Sequence, residues 1–262
     1  MVSTQLKRYE LKGKTLWLFG CEHIHTISDE TFALLDRRVR QFAQQHEYKV
    51  ILAAEGVVPD ERLSLPRMIK KYREMGYLTF VSRDLSRSVR SIETTEQKII
   101  SQTLAAKKYP PEAVLVWLVL NSIDWSRNVH TIRSIRSIRP AIDQRLKYCG
   151  PYGRSWRSLT DRQLIHQIDV QIKAGLGRGI LNDGNHIDRA RVRHISNPFG
   201  RGYYARVGRM VNMQRELLLA ANIYNILSHN HCFVVVGHNH VRAIDRALRQ
   251  RRVLIGYKYL AT

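Results

Sequence analysis

Two short segments concentrate side chains that could do chemistry. Gly20-Cys21-Glu22-His23-Ile24-His25 places three ligand-capable or titratable groups, Glu22, His23 and His25, within four residues, and Gly237-His238-Asn239-His240 repeats the Gly-x-x-His spacing near the other end of the chain. An imidazole binds divalent metals or moves a proton near neutral pH, so either function fits both segments. A third position, Glu55-Gly56, offers a carboxylate that can serve as metal ligand, general base or the partner that fixes a histidine tautomer. Arg83-Asp84 reads as a turn and helix cap or as part of the same site. Asn182-Asp183-Gly184-Asn185-His186-Ile187-Asp188 is a dense polar loop that reads either as plain turn chemistry or as a loop over the site.

The three positions gain meaning from what precedes them. Lys14 to Phe19 (KTLWLF), Tyr48 to Ala54 (YKVILAA) and Cys232 to Val236 (CFVVV) are short apolar runs that read as buried parallel strands, and each ends where a candidate group begins. Between the first two, Asp29 to His46 carries Phe32, Leu35, Val39, Phe42 and Ala43 at helical spacing, completing a βαβ unit. The pattern predicts a helix from about Glu61 to Glu74 stopped by Gly76, then a strand Tyr77 to Ser82. It also predicts a helix over Val211 to Leu227, a short helix after His240 and a last strand Arg252 to Tyr257. The expected fold is therefore α/β, a mostly parallel sheet with flanking helices, and in such sheets ligands bind beyond the carboxyl ends of the strands. One domain is expected, its core from about 10–84 and 206–262, with a helical, basic insertion or cap over about 85–205.

Composition bounds the rest. Forty-three Lys and Arg against 22 Asp and Glu give a formal charge of +21, a field that attracts nucleic acid or another polyanion. Arg87, Arg90, Arg127, Arg133, Arg136, Arg139, Arg154 and Arg157 crowd the middle of the chain and predict a polyanion-binding face there. Residues 131–139 read Thr-Ile-Arg, Ser-Ile-Arg, Ser-Ile-Arg, and a period of three fans its arginines across the face of an α-helix. The longest apolar run, Ala113 to Leu120, is too short for a membrane span. Cys21, Cys149 and Cys232 show no metal or disulfide spacing, and no secretory leader is evident, so reduced thiols and a cytoplasmic location are expected.

Gly20-x-x-His23 after the first strand, Glu55-Gly56 after the second, Arg215-Glu216 with Ala220 in a late helix and Gly237-x-x-His240 together resemble the TraB/Tiki family, within the wider group of erythromycin esterase and ChaN-like proteins. The resemblance covers roughly residues 14–56 and 210–258. It implies a metal-dependent hydrolase of peptide or ester bonds with His23, Glu55 and His240 holding a divalent ion (Mn, Co or Zn). Arg215 would act as a supporting catalytic group, and Glu22 or His25 would be placed to take a water's proton. His25 and His238 are additional histidines, and Glu216 stands where an aspartate is frequent. Gly237-His-Asn-His240 and Gly184-Asn185-His186 also resemble motifs of calcineurin-like metallophosphoesterases, although the two usual aspartate motifs are absent. A metallophosphoesterase or nuclease, and a non-catalytic basic nucleic-acid-binding protein, are the alternative readings.

Overall fold

The computed structural model describes residues 5–46, 48–59, 63–126, 128–183 and 185–250. The chain divides into two compact units, residues 1–94 with 216–262, and residues 95–215.

The first unit is built on a five-stranded sheet. Its strands are β1 (Gln5–Leu11), β2 (Lys14–Cys21), β3 (Val50–Ala54), β4 (Ser88–Ser91) and β7 (His231–Gly237), arranged β1-β2-β7-β3-β4. All pairs are parallel except β1 with β2, a hairpin turned by Lys12 and Gly13, both at positive φ (47° and 74°), as a two-residue hairpin turn requires. Side chains alternate across the sheet as strand geometry demands. Leu16, Leu18, Val234 and Val236 enter a core completed by Leu219, Ala220 and Ile223 of the helix Tyr203–Leu227 and by Val241 and Ile244 of the helix His238–Gln250. Trp17, Phe19, Phe233 and Val235 enter the other core, against α1 (Glu30–Gln45) and α2 (Leu65–Asp84). Burial on both faces explains why β2 and β7 are apolar without interruption. Helix α1 starts where Asp29 accepts a hydrogen bond from the Thr31 N–H, and it buries Leu35, Val39 and Phe42, with Phe42 against Trp17 and Phe233 at centroid distances of 5.4 and 5.6 Å.

The segment 61–82 departs from expectation. Tyr77 to Ser82 is not a strand: α2 runs on to Asp84, broken only at Arg73 (φ 51°, ψ −129°), and the neighbour of β3 is instead the short β4. A brief apolar run suits a buried helix as well as a strand. Here Met75, Leu78 and Ser82, and Tyr77 and Val81, are buried at helical spacing. Gly76 does not stop the helix. It lies against the Met68 carbonyl, where any Cβ would overlap the oxygen. The expected strand Arg252 to Tyr257 and the start of the expected helix at Glu61 lie outside the described residues.

At the amino ends of the strands His231 stacks on His46 (centroids 4.2 Å apart) and accepts the Thr15 N–H at Nδ1. Burial first, then the His46 and Lys14 charges, push His231 down to about 4. A histidine depressed in the folded state takes up its proton more readily when unfolded, so its contribution to stability is complete above the ordinary value of 6.5 and is lost as pH falls toward 4. The melting temperature is expected to fall over that window. The fall should be smaller in His231→Asn, whose amide oxygen can replace Nδ1 without titrating; circular dichroism melts across pH check this.

The second unit is helical: α3 (Glu96–Ala105), α4 (Pro111–Trp125), a 3-10 helix (Arg133–Ser137), α5 (Arg139–Tyr148), α6 (Pro151–Arg157), α7 (Asp161–Leu176) and α8 (Arg189–Ser196), with a hairpin of β5 (Leu181–Asn182) and β6 (His186–Ile187). The Tyr203–Leu227 helix, α9, crosses the boundary, and α10 is His238–Gln250. The apolar run 113–120 is buried within α4, and no helix among the described residues is long and apolar enough to cross a membrane. The period-three repeat does not form an α-helix. At three residues per turn the 3-10 helix stacks Arg133 and Arg136 on one exposed edge and leaves Ile132 and Ile135 buried, which is the periodicity the sequence carries. In the Asn182–Asp188 segment Asn182 pairs with His186, Asp183 stands at φ 48°, and Asp188 caps α8 by accepting the Arg191 N–H.

Candidate active site

Three of the expected groups stand on adjacent strands of the first unit. β7 lies between β2 and β3, and its register pairs Gly20 with Val236, Cys21 with Gly237 and Ala54 with Val235, so the segments after β2, β7 and β3 leave the sheet side by side at its carboxyl edge. Neither glycine of the Gly-x-x-His segments makes a tight turn. Gly20 is a strand residue whose missing side chain admits α10: a Cβ would overlap Val241 Cγ2. Gly237 ends β7, and the helix begins at His238 rather than after His240, so His238 and His240 both sit in the first turn of α10.

Above Gly237 two imidazoles approach one point. From the position a Cβ would occupy there, His240 Cδ2 is 3.4 Å away and His23 Cε1 and Nε2 are each 3.9 Å. Each ring is held from behind by a carboxylate at Nδ1. His23 Nδ1 lies 3.2 Å from both oxygens of Glu74, and His240 Nδ1 lies 3.3 Å from Glu216 Oε1. A carboxylate only accepts, so each Nδ1 carries the proton; His23 turns its Cε1–Nε2 edge, and His240 its Cδ2, toward Gly237.

Glu74 is the residue that sequence reasoning missed. Only 7% exposed, it also accepts the Ile24 N–H at 2.9 Å and the Cys21 thiol at 4.0 Å, so one buried carboxylate fixes the whole loop after β2. Its place on α2 depends on the break at Arg73, one residue before it, which no local pattern announces. Glu216 was visible in the Arg215-Glu216 pair but not its role. Arg215 itself belongs to the second unit. Glu22 and His25 are exposed on the loop either side of His23, and Glu55 is partly buried, its charge felt at both His23 and Cys21. Among the described residues no three His, Cys, Asp or Glu side chains are grouped to hold a metal ion, so His23, Glu55 and His240 do not form a ready three-ligand centre.

The hydrogen bond to Glu74 raises His23 above the ordinary imidazole range, with burial and Arg73 opposing it and Glu55 adding to it. Burial, with the Glu74 charge, pushes the Cys21 thiol well up, so it is no nucleophile at neutral pH. Glu74→Gln is expected to return the His23 pKa to 6.5 or lower, read by NMR titration of the ring protons. The linkage has a definite sign: a raised histidine stabilises the fold fully below 6.5 and loses that contribution as pH rises through its folded value, and Glu74→Gln should abolish this slope.

The expected polyanion residues divide between the units. Arg87 and Arg90 belong to the first; Arg87 donates to the Ala43 and His46 carbonyls, and Arg90 is exposed on β4. Arg133, Arg136, Arg154 and Arg157 are exposed in the second, whereas the Arg139 guanidinium is enclosed by Asp143, Asp161 and the Arg157 and Leu159 carbonyls. Arg127 lies outside the described residues.

Fold and site together define an α/β protein with a mostly parallel sheet and a histidine–carboxylate site at the carboxyl edge of its strands. No family model, curated protein or solved structure matches the chain.

Proposed function

We propose that the chain is a hydrolase of peptide or ester bonds whose chemistry is carried by two carboxylate-held imidazoles, His23–Glu74 and His240–Glu216. The observation that supports this is the approach of both rings to one point above Gly237 with Nδ1 of each engaged by a glutamate. A carboxylate at Nδ1 fixes tautomer and orientation and stabilises the imidazolium when it forms. His240 takes a proton from water as its oxygen attacks the carbonyl carbon, and His23, whose hold on its proton Glu74 strengthens, gives a proton to the departing amine or alkoxide. The first-turn peptide dipoles of α10 begin beside Gly237 and favour the negative charge that develops on the carbonyl oxygen.

The same two imidazoles could hold a divalent ion as a pair, since a carboxylate on Nδ1 is the usual support of a metal-bound histidine; Glu55, at the next strand end, is the third ligand that the resemblance nominates. Such an ion (Mn, Co or Zn) would polarise the attacked oxygen and acidify a bound water. The resemblance to the TraB/Tiki family supports this reading. The charge of +21 favours the second one, phosphoester hydrolysis on nucleic acid. The test is turnover of ester, peptide and phosphodiester panels with and without added Mn, Co or Zn and after chelation, with His23→Ala and His240→Ala as controls. Turnover of esters or peptides that both substitutions abolish is expected. Turnover of phosphodiesters alone would replace this proposal by the second reading.

A further inference from the structure

The second unit holds 21 Lys and Arg against eight Asp and Glu, and its charge is organised. Arg133 and Arg136 stack on the outer edge of the 3-10 helix. Three residues after Arg136, Arg139 closes a clamp on the Arg157 carbonyl at 2.9 Å, which anchors the end of α6, the helix that carries the exposed Arg154 and Arg157, to the start of α5. None of these four exposed guanidiniums pairs with a carboxylate among the described residues, while Arg139 takes two for itself.

Next to this surface lies a cleft of about 420 Å³ among α3, α4 and α5, lined by Glu96, Ser122, Trp125, Ile138, Gln144 and Arg145, with the Glu96 carboxylate paired to Arg145. Ile138 links it to the arginine edge, being two positions after Arg136 and the cap of the 3-10 helix. The Trp125 indole is 81% exposed at the mouth of the cleft, whereas Trp17, Trp117 and Trp156 are buried. An aromatic face left in water beside a cleft and a row of unpaired guanidiniums is the combination that holds unpaired bases and their phosphates: the ring stacks a base, the cations follow the backbone, and the cleft receives a neighbouring base.

We propose that the second unit binds single-stranded nucleic acid, with Trp125 as the stacking platform and Arg133, Arg136, Arg154 and Arg157 on the phosphates. A duplex, its bases already stacked, offers nothing to Trp125 and gains only the charge term. This proposal is independent of any hydrolysis by the first unit.

The test is fluorescence anisotropy of the full chain with labelled oligothymidylate and with a duplex of equal length, across a salt series. Single strands are expected to bind more tightly than the duplex, and Trp125→Ala to weaken single-strand binding by about 5- to 150-fold, the range of one lost stacked base. Arg133→Gln/Arg136→Gln should lower the slope of log affinity against log salt by about 1.4, two phosphate contacts at the single-strand value. Quenching of tryptophan emission on binding, present in the wild type and absent in Trp125→Phe, is the second readout. All these positions are exposed, so thermal melts should match the wild type. Equal affinity for duplex and single strand with no effect of Trp125→Ala would overturn the proposal, as would unchanged salt slopes in the arginine variant or no binding at low salt.

Discussion

Removing either imidazole, by His23→Ala or His240→Ala, is expected to lower kcat/KM on the ester or peptide substrate by about 10²- to 10⁴-fold, the usual worth of a positioned proton-transfer group. The two should not add. Both rings act on one reacting centre above Gly237, so the double variant falls little below the worse single one, as for residues that work as a unit. The pH profile separates their roles. Glu74 holds His23 protonated above the ordinary value, so activity should fall on the alkaline side as that proton is lost, and Glu74→Gln should move this limb to lower pH while leaving a folded protein. Steady-state kinetics from acid to alkaline pH, on wild type and these variants, measure all of it. Wild-type turnover in both alanine variants would remove the two histidines from the mechanism.

The largest expected effect on stability comes from one methyl group, in Gly76→Ala. The added Cβ would overlap the carbonyl oxygen of Met68, a backbone atom held in the first half of α2, so relief requires the two halves of the helix to move apart. Overpacking of this kind costs about 1–3 kcal/mol. The contrast is Gly175→Ala in α7, where nothing lies within 4 Å: there the methyl meets no neighbour and alanine's better helix propensity should raise stability by about 0.5–1 kcal/mol. Urea unfolding of the two variants should therefore move in opposite directions. Gly76→Ala has a functional consequence as well, because Glu74 rides on the displaced turn: the His23 pKa should drop with stability. A Gly76→Ala protein as stable as wild type would show that the two halves of α2 are not packed as described.

The amino-acid sequence by itself determined the elements whose signals are local. KTLWLF and CFVVV are strands because unbroken apolar runs suit a sheet buried on both faces, and Asp29 to His46 is a helix because its apolar residues recur every three or four positions behind a capping aspartate. The isoleucine–arginine period of three was equally plain, though it takes the 3-10 geometry to sort its residues into an inner and an outer edge. His23, Glu55 and His240 could be placed at strand ends for the same reason. Only the tertiary structure decided that those ends are neighbours. β7 enters between β2 and β3, pairing Gly20 with Val236 across more than two hundred residues, and nothing within either strand specifies that choice. It decided too that Tyr77 to Ser82 continues a helix, and that Glu74 and Glu216, 51 and 24 positions from their histidines, stand behind the imidazoles. Such partners are chosen by the packing of whole elements, by the break at Arg73 and by the close approach that Gly20 and Gly76 allow, and these interactions exist only once distant segments have been brought together.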